Sequence, residues 1–178
     1  MRKIQFILVA FMLNISSTFA QSNIPNEVLG VSFGSSLEQT KSIMANIKNC
    51  PLVFASNNKL IYAPTFWEGQ PCENLVFEFT DNKMFVVQVA YLIPNMPYGD
   101  IDYGAINTYS QVYKKMCAQY GKRDSDYREL GNYFMVFAEW QDEKNRIEIS
   151  LFNNTHVSLF YTNKALENKN KALTNNKK

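Results

Sequence analysis

The sequence predicts an α+β fold: two helix-plus-antiparallel-meander repeats, with the helices packed on one face of the sheet. Three observations lead there. Residues 36–48 and 106–120 space their apolar side chains at helical intervals. Each stretch is followed by runs that alternate apolar and polar residues between Asn- and Asp-rich turns. The run KMFVVQVAYLI is apolar on both faces near its middle, as a central strand must be. Helices segregated from antiparallel strands define the α+β class.

Residues 1–20 read MRKIQFILVAFMLNISSTFA. Arg2 and Lys3 precede an apolar run, and Thr18-Phe19-Ala20 offers the small residues of a signal-peptidase site, with Gln21 after it. The run is too short, and too soon interrupted by Asn14, Ser16 and Ser17, to span a bilayer. The expected product is exported, periplasmic or extracellular, cleaved near Ala20, with no transmembrane segment and no lipidated cysteine at the cut. Cleavage removes two basic residues and no acid from a chain with 18 Lys and Arg against 16 Asp and Glu, leaving it near neutral. Its lysines crowd residues 164–178. A nucleic acid partner, which needs clustered basic side chains on the folded surface, is therefore not expected.

The elements follow in order. Residues 21–28 are a lead, and residues 29–93 form the first repeat. Ser35 and Glu38 fit a capping box, after which Leu37, Ile43, Met44 and Ile47 make an apolar stripe. Gly30 and Gly34 are turn residues, since LGVSFG lacks both the P-loop and the dinucleotide fingerprint. PLVFAS and KLIYA are strands joined at Asn57-Asn58, and ENLVFEFT turns at Asp81-Asn82 into the long run. Residues 94–104 are a connector. Residues 105–163 form the second repeat, a helix followed by a three-stranded meander. Ile106, Tyr109, Tyr113, Met116, Cys117 and Tyr120 mark the helix face, and Gly121 stops it. NYFMVFAEWQ, RIEISLF and HVSLFYT are the strands. Residues 164–178 read as a polar Lys/Asn-rich tail, solvated and frayed.

The chemistry-bearing residues are few. Cys50 and Cys72 stand beside prolines at segment boundaries and are expected to form a disulfide, worth about 3 kcal/mol by loop closure. Cys117, on the helix face, reads as a small core hydrophobe. His156 is the sole histidine and opens a strand, with no triad or zinc partners at suitable spacing. Asp100-x-Asp102 and Asp124-x-Asp126 resemble calcium loops. Their sixth and twelfth positions hold Ala105 and Gln111, and Glu129 and Met135, where an EF-hand needs glycine and an acid. No metal, cofactor or catalytic residue is expected, and the chain does not read as an enzyme.

The sheet face opposite the core carries more information. Tyr133, Met135, Phe137, Phe152 and Phe160 alternate onto it, among Glu139, Arg146, Glu148 and Ser150. Such a face needs a cover: the first repeat, a second subunit or a partner. Aromatics ringed by charge have the composition of a protein interface. Phe66 and Trp67, in PTFWEGQPC, are candidate anchors beside it, or caps on the core.

LGVSFGSSLEQTKSIM before one meander and YSQVYKKMCAQYGK before another resemble the tandem α/β repeats of beta-lactamase-inhibitor-protein-like folds. They are similar also to small envelope lipoproteins of the SmpA/OmlA type. The resemblance spans most of residues 29–163 and implies a protein-binding or envelope-assembly module; it transfers no functional residue. The expected function is an exported, non-enzymatic protein-interaction module, with a homodimer as one form of partner. The alternative is a binder of a small apolar ligand held between sheet and helices, prompted by 13 Phe and 10 Tyr.

Overall fold

The structure is a computed structural model and describes residues 23–93, 101–130 and 132–175. The expected signal peptide, Asp100 and most of the expected connector lie outside them. The chain runs β1 (Glu27–Val28), β2 (Val31–Ser32), α1 (Leu37–Met44), β3 (Leu52–Ala55), β4 (Lys59–Tyr62), β5 (Phe66–Trp67), β6 (Gln70–Thr80) and β7 (Lys83–Tyr91). It continues through α2 (Ile101–Tyr120), β8 (Asp126–Leu130), β9 (Tyr133–Gln141), β10 (Asn145–Phe152), β11 (His156–Asn163) and α3 (Lys164–Asn175). The class is α+β. One antiparallel sheet has the order β3-β4-β6-β7-β11-β10-β9-β8, with β5 paired onto β6.

Local chemistry sets the corners. Asp81 and Asn82 take φ of 46° and 55°, the left-handed pair that a two-residue hairpin needs between Thr80 and Lys83. Asn82 Oδ1 also accepts from the amide of Leu37 at 3.0 Å, so this turn caps the start of α1 as well. The capping box of α1 falls one residue later than the sequence suggests. Ser36 Oγ accepts from the Gln39 amide at 3.2 Å, and Gln39 Oε1 accepts from the Ser36 amide at 2.8 Å. The reason lies next door: Gly34 donates to Met84 O and Ser35 O accepts from Met84, both at 2.9 Å. That pairing engages Gly34 and Ser35 with β7, so the extended cap is Ser36 and the helix begins after it. Ser36→Ala should therefore cost about 1 kcal/mol of stability and Ser35→Ala only a few tenths, compared by thermal unfolding.

Burial follows the two-residue period of the strands. Leu60, Leu75, Phe77, Val87, Val89, Trp140, Ile147, Ile149 and Leu159 are fully buried on one sheet face. Against this face α2 lays Ala105, Tyr109, Val112 and Met116. The stripe is turned from the expected one, and Ile106 is exposed. Tyr113 stays at the rim, where its hydroxyl donates to Arg123 O. Gly121 ends the helix at φ +89° and donates to Cys117 O. α1 adds Leu37, Thr40 and Met44 to the same core.

Three readings of the sequence are corrected. The second meander has four strands, because DYREL pairs as β8 with β9. Residues 164–175 of the stretch read as a frayed tail form α3, whose first turn is capped by Asn163 Oδ1 accepting from the Leu166 amide at 3.1 Å. The helices are not all on one face. α1 and α2 cover the core face, whereas α3 contacts β6, β7 and β11 and pairs Glu167 with Arg146, whose side chain alternates away from buried Ile147. Polar composition hid this helix, which docks by ion pairs and a cap and buries none of its residues fully.

The expected Cys50–Cys72 disulfide is also absent: both are buried free thiols. Cys72 Sγ lies 3.4 Å from Ala90 O and 3.5 Å from Asn74 O, turned to the carbonyls of the β6–β7 ladder. Burial pushes the Cys72 thiol up to about 11, with neighbouring Cys50 adding to the effect, and burial raises Cys50 as well. Both stay protonated at neutral pH, which makes them packing residues with low nucleophilicity.

Candidate functional site

The outer sheet face is assembled by register. Gln88, Phe160, Glu148 and Glu139 form one row across β7, β11, β10 and β9. Ala90, Ser158, Ser150 and Phe137 form the next, extended by Asp126 of β8. His156, Phe152, Met135 and Arg128 form a third. Five of the expected contact residues thus share one surface: Tyr133, Met135, Phe137, Phe152 and Phe160. The last four are half-buried and Tyr133 is 54% exposed. The Tyr133 and Phe152 rings stack with centroids 5.5 Å apart. Arg128 lies 4.9 Å above the Phe137 ring, a cation–π contact at the rim. Sequence reasoning missed Arg128 because β8 was not read as a strand. The alternation in DYREL, with Asp126 and Arg128 on one side and Tyr127 and Glu129 on the other, was the available signal.

α3 roofs one end of this face and leaves the aromatic end open. Under its edge lies an open pocket of about 290 Å³, lined by Glu78, Phe85, Val86, Arg146, Glu148, Phe160, Thr162 and Glu167. The charges there are mostly spoken for. Lys59 pairs with Glu78 at 2.8 Å, and Arg146 lies 3.0 Å from Glu167 and 3.7 Å from Glu139. Among the described residues Glu148 makes no ion pair of this kind. Burial raises its carboxyl above the ordinary range; Arg146 and Arg128 oppose the shift, and Glu139 and Glu167 add to it.

The sign gives a test. A carboxyl raised in the folded state favours folding while protonated, and that contribution is lost as pH rises through its folded pKa. Glu148→Gln should therefore melt above the native protein at pH 7. The gap should close as pH falls below about 4.3, the ordinary glutamate value. Thermal unfolding at the two pH values checks it.

Phe66 and Trp67 do not join this surface. The β5–β6 hairpin turns through Glu68 and Gly69, both at positive φ, and lies against α2. Lys115 pairs with Glu68, and Gln70 Nε2 donates to Gln111 Oε1 at 2.7 Å. Trp67 packs edge-on to the buried Tyr161, 6.3 Å between centroids, on the core side of the sheet. Phe66 beside it is 61% exposed. The seven expected contact residues thus divide between opposite faces.

The remaining candidates separate as well. Asp124 and Asp126 are exposed, and no cluster of three or more His, Cys, Asp or Glu able to hold a metal occurs among the described residues. His156 is exposed, with Nδ1 2.8 Å from Thr155 Oγ1, while Cys117 packs at the core margin on α2. A second concavity of about 490 Å³ lies between α1 and the β3–β4 hairpin, lined mainly by Met44, Ile47, Cys50, Pro51, Leu52 and Tyr62. Among the described residues no helix is long and apolar enough to cross a membrane. Set against protein-family models, curated proteins and solved structures, the chain matches none.

Proposed function

We propose that this chain is an exported, non-enzymatic protein-interaction module of the cell envelope or secreted space. Its binding surface is the open sheet face of Met135, Phe137, Phe152 and Phe160. What supports this is their shared face: four half-buried apolar side chains on three adjacent strands, with Tyr133 and Arg128 at the rim. Aromatic and Arg enrichment inside a polar border is the anatomy of a protein interface. Glu148, half-buried and unpaired beside Phe160, fits a partner that brings a Lys or Arg to it.

The same proposal takes residues 29–93 and 105–163 as two repeats of one helix-then-meander unit, in the manner of the folds the sequence resembles. The strand order supports it, since the last strands β7 and β11 meet while the first strands β3 and β8 lie outermost. Crosslinking of the exported chain in an extract of its own cell envelope tests the function. One stoichiometric partner is expected; a clean bare chain counts against the module.

A second reading, binding of a small apolar ligand, is favoured by the pocket between α1 and the β3–β4 hairpin, whose size and lining suit one. Native mass spectrometry of the purified protein decides it: a co-purifying lipid or metabolite supports this reading, and a bare mass counts against it.

A further inference from the structure

The two ends of the sheet are unlike. β8, at one edge, presents Asp126, Arg128 and Glu129, the charges that keep an edge from pairing with other chains. β3, at the other, is Leu-Val-Phe-Ala, with no charge and all four residues exposed. Leu52, Val53 and Phe54 are 45%, 57% and 50% exposed, and among the described residues β3 pairs with β4 alone. The far side of such a strand holds backbone donors and acceptors that only another strand can satisfy in a dry contact.

We infer that β3 pairs antiparallel with β3 of a second copy of this chain, closing a twofold dimer whose sheet runs through both molecules. Charge decides between the occupants this chain can offer. β3 against β3 sets a neutral apolar strand on its equal. The nearest following cation, Lys59, is already compensated by Glu78 at 2.8 Å. β3 against β8 would bring Asp126, Arg128 and Glu129 against Leu52, Val53 and Phe54, and would run head to tail, as a ring or an open filament, without forming a twofold pair. The bulge between Leu52 and Phe54 keeps the contact short. A short edge contact sets a weak dimer, with Kd on the order of 10–100 µM. The outer face of β9–β11 lies at the other end of the sheet and stays free in this dimer.

Sedimentation equilibrium of the purified, processed chain between about 1 µM and 1 mM brackets that affinity. The native chain should pass from monomer to dimer. Val53→Lys with Phe54→Lys should remain monomeric across the range, with an unchanged circular dichroism spectrum and melting curve, since both side chains are exposed. Tyr127→Lys on the opposite edge should dimerise like the native chain. A native chain that stays monomeric throughout overturns the inference, as does a dimer that survives the double substitution. Open-ended oligomers abolished by Tyr127→Lys would replace the closed dimer with head-to-tail pairing.

Discussion

Trp140→Ala is expected to destabilise the fold by about 3–5 kcal/mol, the range for removing a buried aromatic from a core that cannot collapse around the loss. Trp140 is 1% exposed and is among the largest fully buried side chains. Its ring sits 6.0 Å from that of Tyr113, and its Nε1 donates to Gly121 O at 2.7 Å. That bond ties β9 to the C-terminus of α2, where the last helical carbonyls lack helical donors. The urea midpoint should fall by about 2 M for a protein of this size. Trp140→Phe separates the two contributions: it keeps most of the packing and loses the bond, at about 1 kcal/mol. Urea unfolding of both variants checks the order.

Phe137→Ser combined with Phe160→Ser should have the opposite profile. Both rings are half-buried on the open face, so the fold should persist, with a near-native melting temperature and dichroism. Partner capture should fall at least about 30-fold, the loss of a central aromatic hot spot worth 2 kcal/mol or more. Phe137 lies under Arg128 and Phe160 stands opposite Glu148, so each ring carries a charged neighbour that a partner would also meet. If the double variant unfolds instead, the two rings belong to the core and the face is not a free surface. The measurement is quantitative recovery of the crosslinked partner beside a melting curve of the same preparation.

Much of this was legible because strand alternation is local. Ala138 and Trp140, Ile147 and Ile149, and Val157 and Leu159 could be assigned to the core face, and Phe137, Phe152 and Phe160 to the other, from period alone. Turn chemistry was equally local: the turn read at Asp81-Asn82 is there, with both residues left-handed, and Asn153-Asn154 take the same conformation. What could not be read depended on distant partners. The cap of α1 moved from Ser35 to Ser36 because β7 holds Gly34 and Ser35. α3 forms over a face it meets only after folding, through Arg146–Glu167 and Lys169–Asp81. Trp67 could be read as an anchor or as a cap on the core, and the β5–β6 hairpin, which carries it onto Tyr161, is what decides for the core. β8 was hidden by its own charges, which suit an edge strand and resemble a loop.

The central claim is that the open face of β9–β11 is the binding surface. Its most direct test places a photo-crosslinking amino acid at Phe160, at Phe137 and, separately, at Phe66, which is exposed on the opposite side. Each form is expressed in its own cells and irradiated there. A single discrete adduct from positions 160 and 137, with none from 66, is the predicted result. An adduct from 66 alone, or none from any of the three, would contradict it.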